Sequence, residues 1–190
     1  MVPPISVLSL ITGAFTKLRI RYVLVGSLAS SIHGLYRATA GIDILADIKG
    51  EQVHPLYEAL KDTFYVDEPA MRNAVTEKRS FNAIHFDSVF KAGVFIAHDD
   101  FAAAQLDHRQ LRKLSPDRDE TVYVASVEDT VLAKLPWYRA GNESSTTQWK
   151  DVSGVLGIMR GSLDVPYLRR WAERLKISDL LDRALEEAKI

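Results

Sequence analysis

Over the first 125 residues, segments with two different spacings of hydrophobic residues follow one another. A spacing of three or four residues is typical of an amphipathic helix, and strict alternation with polar residues is typical of a half-buried strand. In segment 41–48, for example, Ile42, Ile44 and Ala46 share one face and Asp43 lies on the other. The predicted elements are a helix from Pro3 to about Lys17, a strand 21–26, a helix 28–35 with Ser27 as N-cap, a strand 41–48, a helix 51–64, a weaker helix or loop 68–78, hairpin strands 80–86 and 90–97, a helix 100–114 and a strand 121–126.

From Ser126 onward the pattern changes to helical spacing with no strand signal. The four predicted helices are 127–138, 148–159, 165–175 and 178–188. We therefore predict an α/β (α+β) fold, with a mixed sheet flanked by helices in domain 1–125 and a helical subdomain in 126–190.

Composition narrows the class of protein. The 190 residues, 47% of them hydrophobic, suffice for one core, or for one core and a small appendage. The absence of cysteine excludes disulfides, thiolate metal sites and a cysteine nucleophile. A net charge of -1 gives no overall attraction to nucleic acid. Because no apolar run approaches the roughly 20 residues that span a bilayer, and no signal-peptide pattern opens the chain, we expect a cytoplasmic protein without a membrane partner.

The candidate chemistry begins at a Gly-Ser pair, Gly26 and Ser27, between a predicted strand and a predicted helix. Backbone N–H groups at a helix N-terminus bind phosphate readily, although serine also caps helices that bind nothing. The strand that follows presents Asp43 opposite its apolar face. Carboxylates on adjacent strands hold the divalent ions that nucleotidyl transfer requires. This combination suits a nucleoside triphosphate (NTP).

These motifs resemble the nucleotidyltransferase superfamily (DNA polymerase β-like fold), and within it the group of AbiEii-like toxins and minimal nucleotidyltransferases. The matching segments are "VGS" at Val25 to Ser27, "HG" at His33 and Gly34, "RAT" at Arg37 to Thr39, "GID" at Gly41 to Asp43, the paired strands in "FNAIHFDSVFKAGVFI", and the helical region with Lys134 and Asp151. The similarity covers nearly the whole chain and implies transfer of a nucleoside monophosphate from an NTP, with two Mg²⁺ ions.

The chain departs from the family pattern at two of its three metal-binding acids. Gly41 occupies the position of the first carboxylate and Gly93 that of the third, so that Asp43 alone remains. One carboxylate cannot hold two divalent ions closely. Three other acids lie near in the sequence. Asp47 is on the same face as Asp43 but about 13 Å along the strand. Asp87 is at the end of the predicted hairpin, and Glu68 is in the segment 68–78, for which helix and loop both stay open. We expect Mg²⁺ binding to be weak or absent.

The resemblance also implies roles for individual residues. Asp43 and Lys134 would be catalytic, Asp43 would bind the remaining metal, and the nucleotide would contact Gly26, Ser27, Arg37, Thr39, Lys91 and Asp151. Simpler alternatives stay open for several of them. Lys134 also fits a surface lysine, Arg37 and Thr39 fit a hydrogen-bonded turn, and Lys91 fits a strand residue displayed to water.

Two functions follow from these expectations. The first is a degenerate nucleotidyltransferase that retains binding of a nucleotide or a partner. The alternative is an active Mg²⁺-dependent transferase acting on a hydroxyl of RNA, protein or a small molecule, with the toxin of a toxin-antitoxin pair as one form of it. The basic run His108 to Arg118 is interpreted as a solvated helix face, with contact to nucleic acid as the other possibility.

Overall fold

The computed structural model describes residues 4–34, 41–115 and 118–190. The helices are α1 Pro4–Lys17, α2 Gly26–Ile32, α3 Val53–Leu60, α4 Glu68–Glu77, α5 Asp100–His108, α6 Val127–Ala140, α7 Thr146–Met159, α8 Val165–Arg174 and α9 Ser178–Ala188, with a 3₁₀ turn at Gly50–Gln52. The strands are β1 Arg21–Val25, β2 Gly41–Asp47, β3 Phe64–Tyr65, β4 Ser80–His85, β5 Lys91–Ile96, β6 Gln110–Ser115 and β7 Arg118–Val124.

Within the described residues, seven strands form one mixed sheet in the order β3-β4-β5-β2-β1-β7-β6. The pairs β2–β5 and β1–β7 are parallel, and the other neighbours are antiparallel. The alternation predicted for β2 is observed, because Ile42, Ile44 and Ala46 are buried while Asp43 is half-buried. These apolar residues belong to the core, as do α1 residues such as Leu8, and each fully buried large side chain stabilises the fold by about 1.5–3 kcal/mol.

The described chain divides into two compact units. The first contains residues 4–25, 41–115 and 118–124, and the second contains residues 26–34 and 125–190. The second unit therefore includes α2 together with α6 to α9, whereas the sequence suggests a boundary at 125/126. The predicted mixed α/β fold class is confirmed.

Three predicted element bounds are wrong. The helix expected over 51–64 ends at Leu60, because Phe64 enters β3 and pairs with His85. The helix expected over 100–114 ends at His108, and within the basic run Gln110–Ser115 form the strand β6, in which Leu111 pairs with Tyr123 of β7. Pairing with a distant strand outweighs local helix propensity at both places.

The third difference concerns α2, which begins at Gly26 rather than after Ser27. Gly26 has a φ of 68°, a left-handed value that glycine adopts without steric penalty. The strand-to-helix turn therefore depends on glycine at this position. The predicted end of this helix near Leu35 lies outside the described residues.

Candidate functional site

Asp43 lies on the central strand β2, in a row of residues that crosses three strands. It pairs with Gly93 on β5, and Gly93 pairs with Asn82 on β4. Paired residues of neighbouring strands share one face of a sheet. Asp43, Gly93 and Asn82 therefore face the same way, opposite the apolar face that contains Ile42.

Gly93 leaves a gap in this row. A Cβ atom at Gly93 would lie 3.4 Å from Oδ1 of Asp43, 3.5 Å from the ring of Phe95 and 3.8 Å from Oδ1 of Asn82. These are ordinary van der Waals separations, so the position can accept a side chain. Sequence reasoning missed Asn82, although the alternation of Phe81, Asn82 and Ala83 in the predicted hairpin was a signal that Asn82 faces away from the core.

Gly41 differs from Gly93 in its surroundings. A Cβ atom at Gly41 would lie 3.0 Å from the backbone carbonyl oxygen of Lys91, the residue with which Gly41 pairs. Such a contact is tighter than side chains normally tolerate, and the obstacle is backbone. Gly41 thus permits close approach of two strands. The side chain of Lys91 itself is exposed.

The donor set of the row does not fit a pair of divalent ions. Mg²⁺ prefers carboxylate oxygens, and the row offers one carboxylate, one neutral carboxamide and a glycine between them. In the part of the chain that the structure describes, no three His, Asp or Glu side chains are grouped as metal ligands.

Two of the three nearby acids contact other side chains, and the third is exposed. Asp47 accepts a hydrogen bond from Nζ of Lys49 at 2.7 Å. Glu68, near the start of α4, lies 3.1 Å from Nδ1 of His54 and accepts a hydrogen bond from Arg72 at 2.8 Å. The hydrogen bond with His54, followed by that from Arg72, lowers the pKa of Glu68. Asp87 is exposed in the β4–β5 loop.

In the helical unit, Lys134 and Asp151 form a buried ion pair. Nζ of Lys134 donates to Oδ2 of Asp151 at 2.8 Å, and the two residues are 6% and 3% exposed. Oε1 of Gln148 lies 3.5 Å from the same nitrogen. The alternative that Lys134 is a surface lysine is wrong. Because each charge would be strongly destabilised alone in this environment, the pair ties α6 to α7.

A second buried polar contact lies on α6. The hydroxyl of Tyr167 donates to Oδ1 of Asp129 at 2.7 Å, and Asp129 is fully buried. Burial, followed by the hydrogen bond to Asp129, raises the pKa of Tyr167 well above its ordinary value. Ser126 caps the helix by accepting from the backbone N–H of Asp129 at 3.0 Å. Two charged side chains of α6 therefore have buried partners on other helices: Lys134 contacts Asp151 of α7, and Asp129 contacts Tyr167 of α8.

The remaining predicted residues fall at other places. Gly26 and Ser27 form the start of α2, in the helical unit. Arg37 and Thr39 lie outside the described residues. His33 is buried, and its Nε2 lies 2.8 Å from the carbonyl oxygen of Ala125.

Comparison with solved structures identifies the class of fold. An antigenic nucleotidyltransferase-like protein from Paracoccidioides brasiliensis has a TM-score of 0.58 at 14% identity, covering 96% of this chain and 91% of that one. A candidate nucleotidyltransferase from Thermotoga maritima has a TM-score of 0.51 at 15% identity, covering 78% and 94%. ANT(2″)-Ia, solved in complex with adenylyl-2″-tobramycin, has a TM-score of 0.56 at 13% identity, covering 90% and 95%. The chain therefore has a nucleotidyltransferase-like fold, as predicted.

No family model matches the sequence, and no curated protein matches it. The AbiEii-like subgroup stays a prediction. Among the described residues, none of the helices combines the length and apolar character needed to cross a membrane.

Proposed function

We propose that this chain is a degenerate nucleotidyltransferase-like protein, which has lost metal-dependent transfer and retains binding of a nucleotide or a partner. The observation that supports this proposal is the row Asp43, Gly93 and Asn82, in which glycine occupies the strand position beside the one carboxylate. The nucleotidyltransferase-like fold supports the nucleotide as ligand.

The physical argument is one of charge and geometry. Two divalent ions and a triphosphate need several carboxylates within direct reach, because each ion must exchange water for anionic oxygen ligands. Gly93 supplies no side chain, and a carboxylate at Gly41 would bring its Cβ within 3.0 Å of the Lys91 carbonyl oxygen, a close contact that destabilises the strand pair. Loss of the transfer step is then expected even where the nucleotide still binds.

Within this proposal the residues have separate roles. Gly26 and Ser27 offer backbone N–H groups to phosphate, Asp43 offers a carboxylate, and Lys91 offers an exposed ammonium group. Lys134 acts through Asp151 as a positioning residue. The proposal also includes a domain boundary at 125/126, a cytoplasmic location and contacts of Arg37 and Thr39 with the nucleotide. The partner it allows is an RNA, a protein or an antitoxin.

The test is calorimetric titration with each NTP, with and without Mg²⁺ or Mn²⁺. Wild type is compared with Gly93→Asp and with Gly93→Asn, which has the same size without the charge. We expect wild type and Gly93→Asn to bind NTP equally with and without metal. Gly93→Asp should gain metal-enhanced binding, because it places a second carboxylate beside Asp43.

The alternative, an active transferase using other acids, predicts a different result. Incorporation of labelled nucleotide into RNA, protein or a small-molecule hydroxyl by wild type, abolished by Asp43→Ala, would contradict degeneracy. Absence of NTP binding by wild type and by Gly93→Asp would contradict retention of the nucleotide site and leave partner binding as the function.

A further inference from the structure

A cavity of about 200 Å³ lies in the first unit, away from Asp43. It is lined by three arginines, Arg19, Arg21 and Arg109, and by the two tyrosines Tyr22 and Tyr123. Arg21 begins β1, whereas Val25, which pairs with Asp43, ends it. Four residues of strand correspond to about 13 Å, so the cavity and the row of Asp43 are distinct places on one sheet.

The cavity has an excess of positive charge. Arg21 forms an ion pair with Asp107, and both side chains are about half exposed or more. Arg109 donates to the carbonyl oxygen of Leu106, and its guanidinium lies 4.5 Å from the ring centroid of Tyr123. Its Nε is buried and has no hydrogen-bond partner among the described residues. Within the described chain, the three arginines therefore have one carboxylate partner, Asp107, and the buried Nε–H of Arg109 is available to a ligand.

Arg19 occupies an unusual backbone position. It follows the last turn of α1 with a φ of 54°, its N–H donates to the carbonyl of Thr16, and the N–H of Ile20 donates to that of Phe15. This is the hydrogen-bond pattern of a Schellman motif, in which glycine is the usual residue. Arg19 thus lines the cavity at a position where local conformation alone would favour glycine.

We propose that this cavity binds a doubly charged phosphate group, free or as a small phosphate monoester. Planar guanidinium groups match phosphate oxygens with paired N–H donors. The net excess of two positive charges matches the dianion. The volume admits a phosphate with a small organic group and is below that of pockets for larger ligands. The hydroxyl group of Tyr22 is protonated at neutral pH, since the ordinary pKa of tyrosine is about 10.

The experiment is a titration of the ¹⁵N-labelled full chain at pH 7.5, followed by NMR. The ligands are inorganic phosphate and glycerol 3-phosphate, and sodium chloride of equal ionic strength is the reference. Saturable shifts are expected at the backbone amides of residues 19–22, Arg109 and Tyr123. If glycerol 3-phosphate binds more tightly than inorganic phosphate, its glycerol group contacts the tyrosine rings. If the two ligands bind equally, the site recognises the phosphate group alone. Both results support the proposal.

Variants separate binding from folding. Arg19→Gly removes a guanidinium at a backbone position that favours glycine, so it should fold at least as well as wild type and bind phosphate about tenfold more weakly or worse. Arg109→Gln should weaken binding to a similar extent. Arg169→Gln is the matched control, because Arg169 forms a comparable exposed ion pair with Asp182 at 2.6 Å. Asp43→Ala should leave phosphate binding unchanged, which distinguishes this site from the proposed nucleotide site.

Three outcomes would overturn the proposal. The first is no saturable shift in wild type. The second is phosphate affinity in Arg19→Gly and Arg109→Gln equal to that of wild type. The third is binding of single-stranded RNA that strengthens with length and needs no terminal phosphate, since this would indicate a surface for a polymer.

Discussion

Asp43 and Asp151 are both aspartates at positions that resemble the nucleotidyltransferase pattern, and the two units surround them differently. Asp151 is 3% exposed and keeps its ion pair with Lys134. Asp43 is half-buried on a sheet face where glycine is its neighbour on β5. A buried charge requires its partner for stability, whereas a carboxylate that water reaches does not. The stability of the helical unit therefore depends on the Lys134–Asp151 pair. Further acids around Asp43 would be needed only for catalysis and not for stability.

The largest effect is expected from breaking the helical pair. Lys134→Met should lower the free energy of unfolding by about 3–5 kcal/mol, because it leaves the carboxylate of Asp151 buried without its cation. Urea unfolding measures this change. Lys91→Met is the control, since Lys91 is exposed.

The double variant Lys134→Met/Asp151→Leu sharpens this prediction. Replacing both charges by apolar groups should restore most of the lost stability. A loss below about 1 kcal/mol in Lys134→Met, or no recovery in the double variant, would contradict the structural role of the pair.

A second test concerns the buried carboxylate of Asp129. Tyr167→Phe should lower the free energy of unfolding by about 1.5–3 kcal/mol, through loss of the hydrogen bond to Asp129. Tyr65→Phe, at a tyrosine that is 63% exposed, should have almost no effect. Equal effects of the two substitutions in urea unfolding would argue against the Tyr167 hydrogen bond.

The same tyrosine predicts a dependence on pH. Its pKa is raised above the ordinary value of 10.0 in the folded protein, so the folded chain keeps a proton that the unfolded chain loses at high pH. The contribution of protonated Tyr167 to the free energy of unfolding is complete below pH 10 and falls as the pH rises above 10. Unfolding midpoints from pH 8 to 11 should show a steeper alkaline decline in wild type than in Tyr167→Phe.

A smaller effect should separate the two glycines. Gly41→Ala should destabilise the protein by about 1–2 kcal/mol, because its Cβ meets the Lys91 carbonyl at 3.0 Å. Gly93→Ala should be neutral or stabilising by up to about 1 kcal/mol, because its contacts are ordinary and alanine restricts the unfolded chain. Thermal unfolding of the pair measures the difference. Similar melting temperatures would contradict the close backbone approach at Gly41.

The smallest effect is expected at Asp43. Asp43→Ala should change the free energy of unfolding by less than about 1 kcal/mol, in contrast to the loss at Lys134, because Asp43 is only half-buried and water screens its interactions. Urea unfolding beside Lys134→Met tests the comparison directly. A loss as large as that of Lys134→Met would mean that Asp43 has a structural partner as demanding as Lys134.

Prediction from sequence succeeded where the signal was local. The helix after Ser126 begins at Val127 as expected, because a serine side chain accepting from a nearby backbone N–H is a short-range feature. The strand β6 was predicted as part of a helix, since its pairing with the distant strand β7 determines its conformation. The position of Asn82 beside Gly93 was missed for the same reason.

The sequence alone determined the alternation of β2, the helical character of residues beyond Ser126, and the presence of one carboxylate where the resembled family has three. These depend on residue identity and on spacing within a single element. Only the tertiary structure decided that a side chain at Gly41 would meet a backbone carbonyl while one at Gly93 would make ordinary contacts with Asp43, Phe95 and Asn82. The same holds for the burial of Lys134 with Asp151, and for the cavity lined by Arg19, Arg21 and Arg109. Those facts depend on which distant segments pack together, and no local period contains that information.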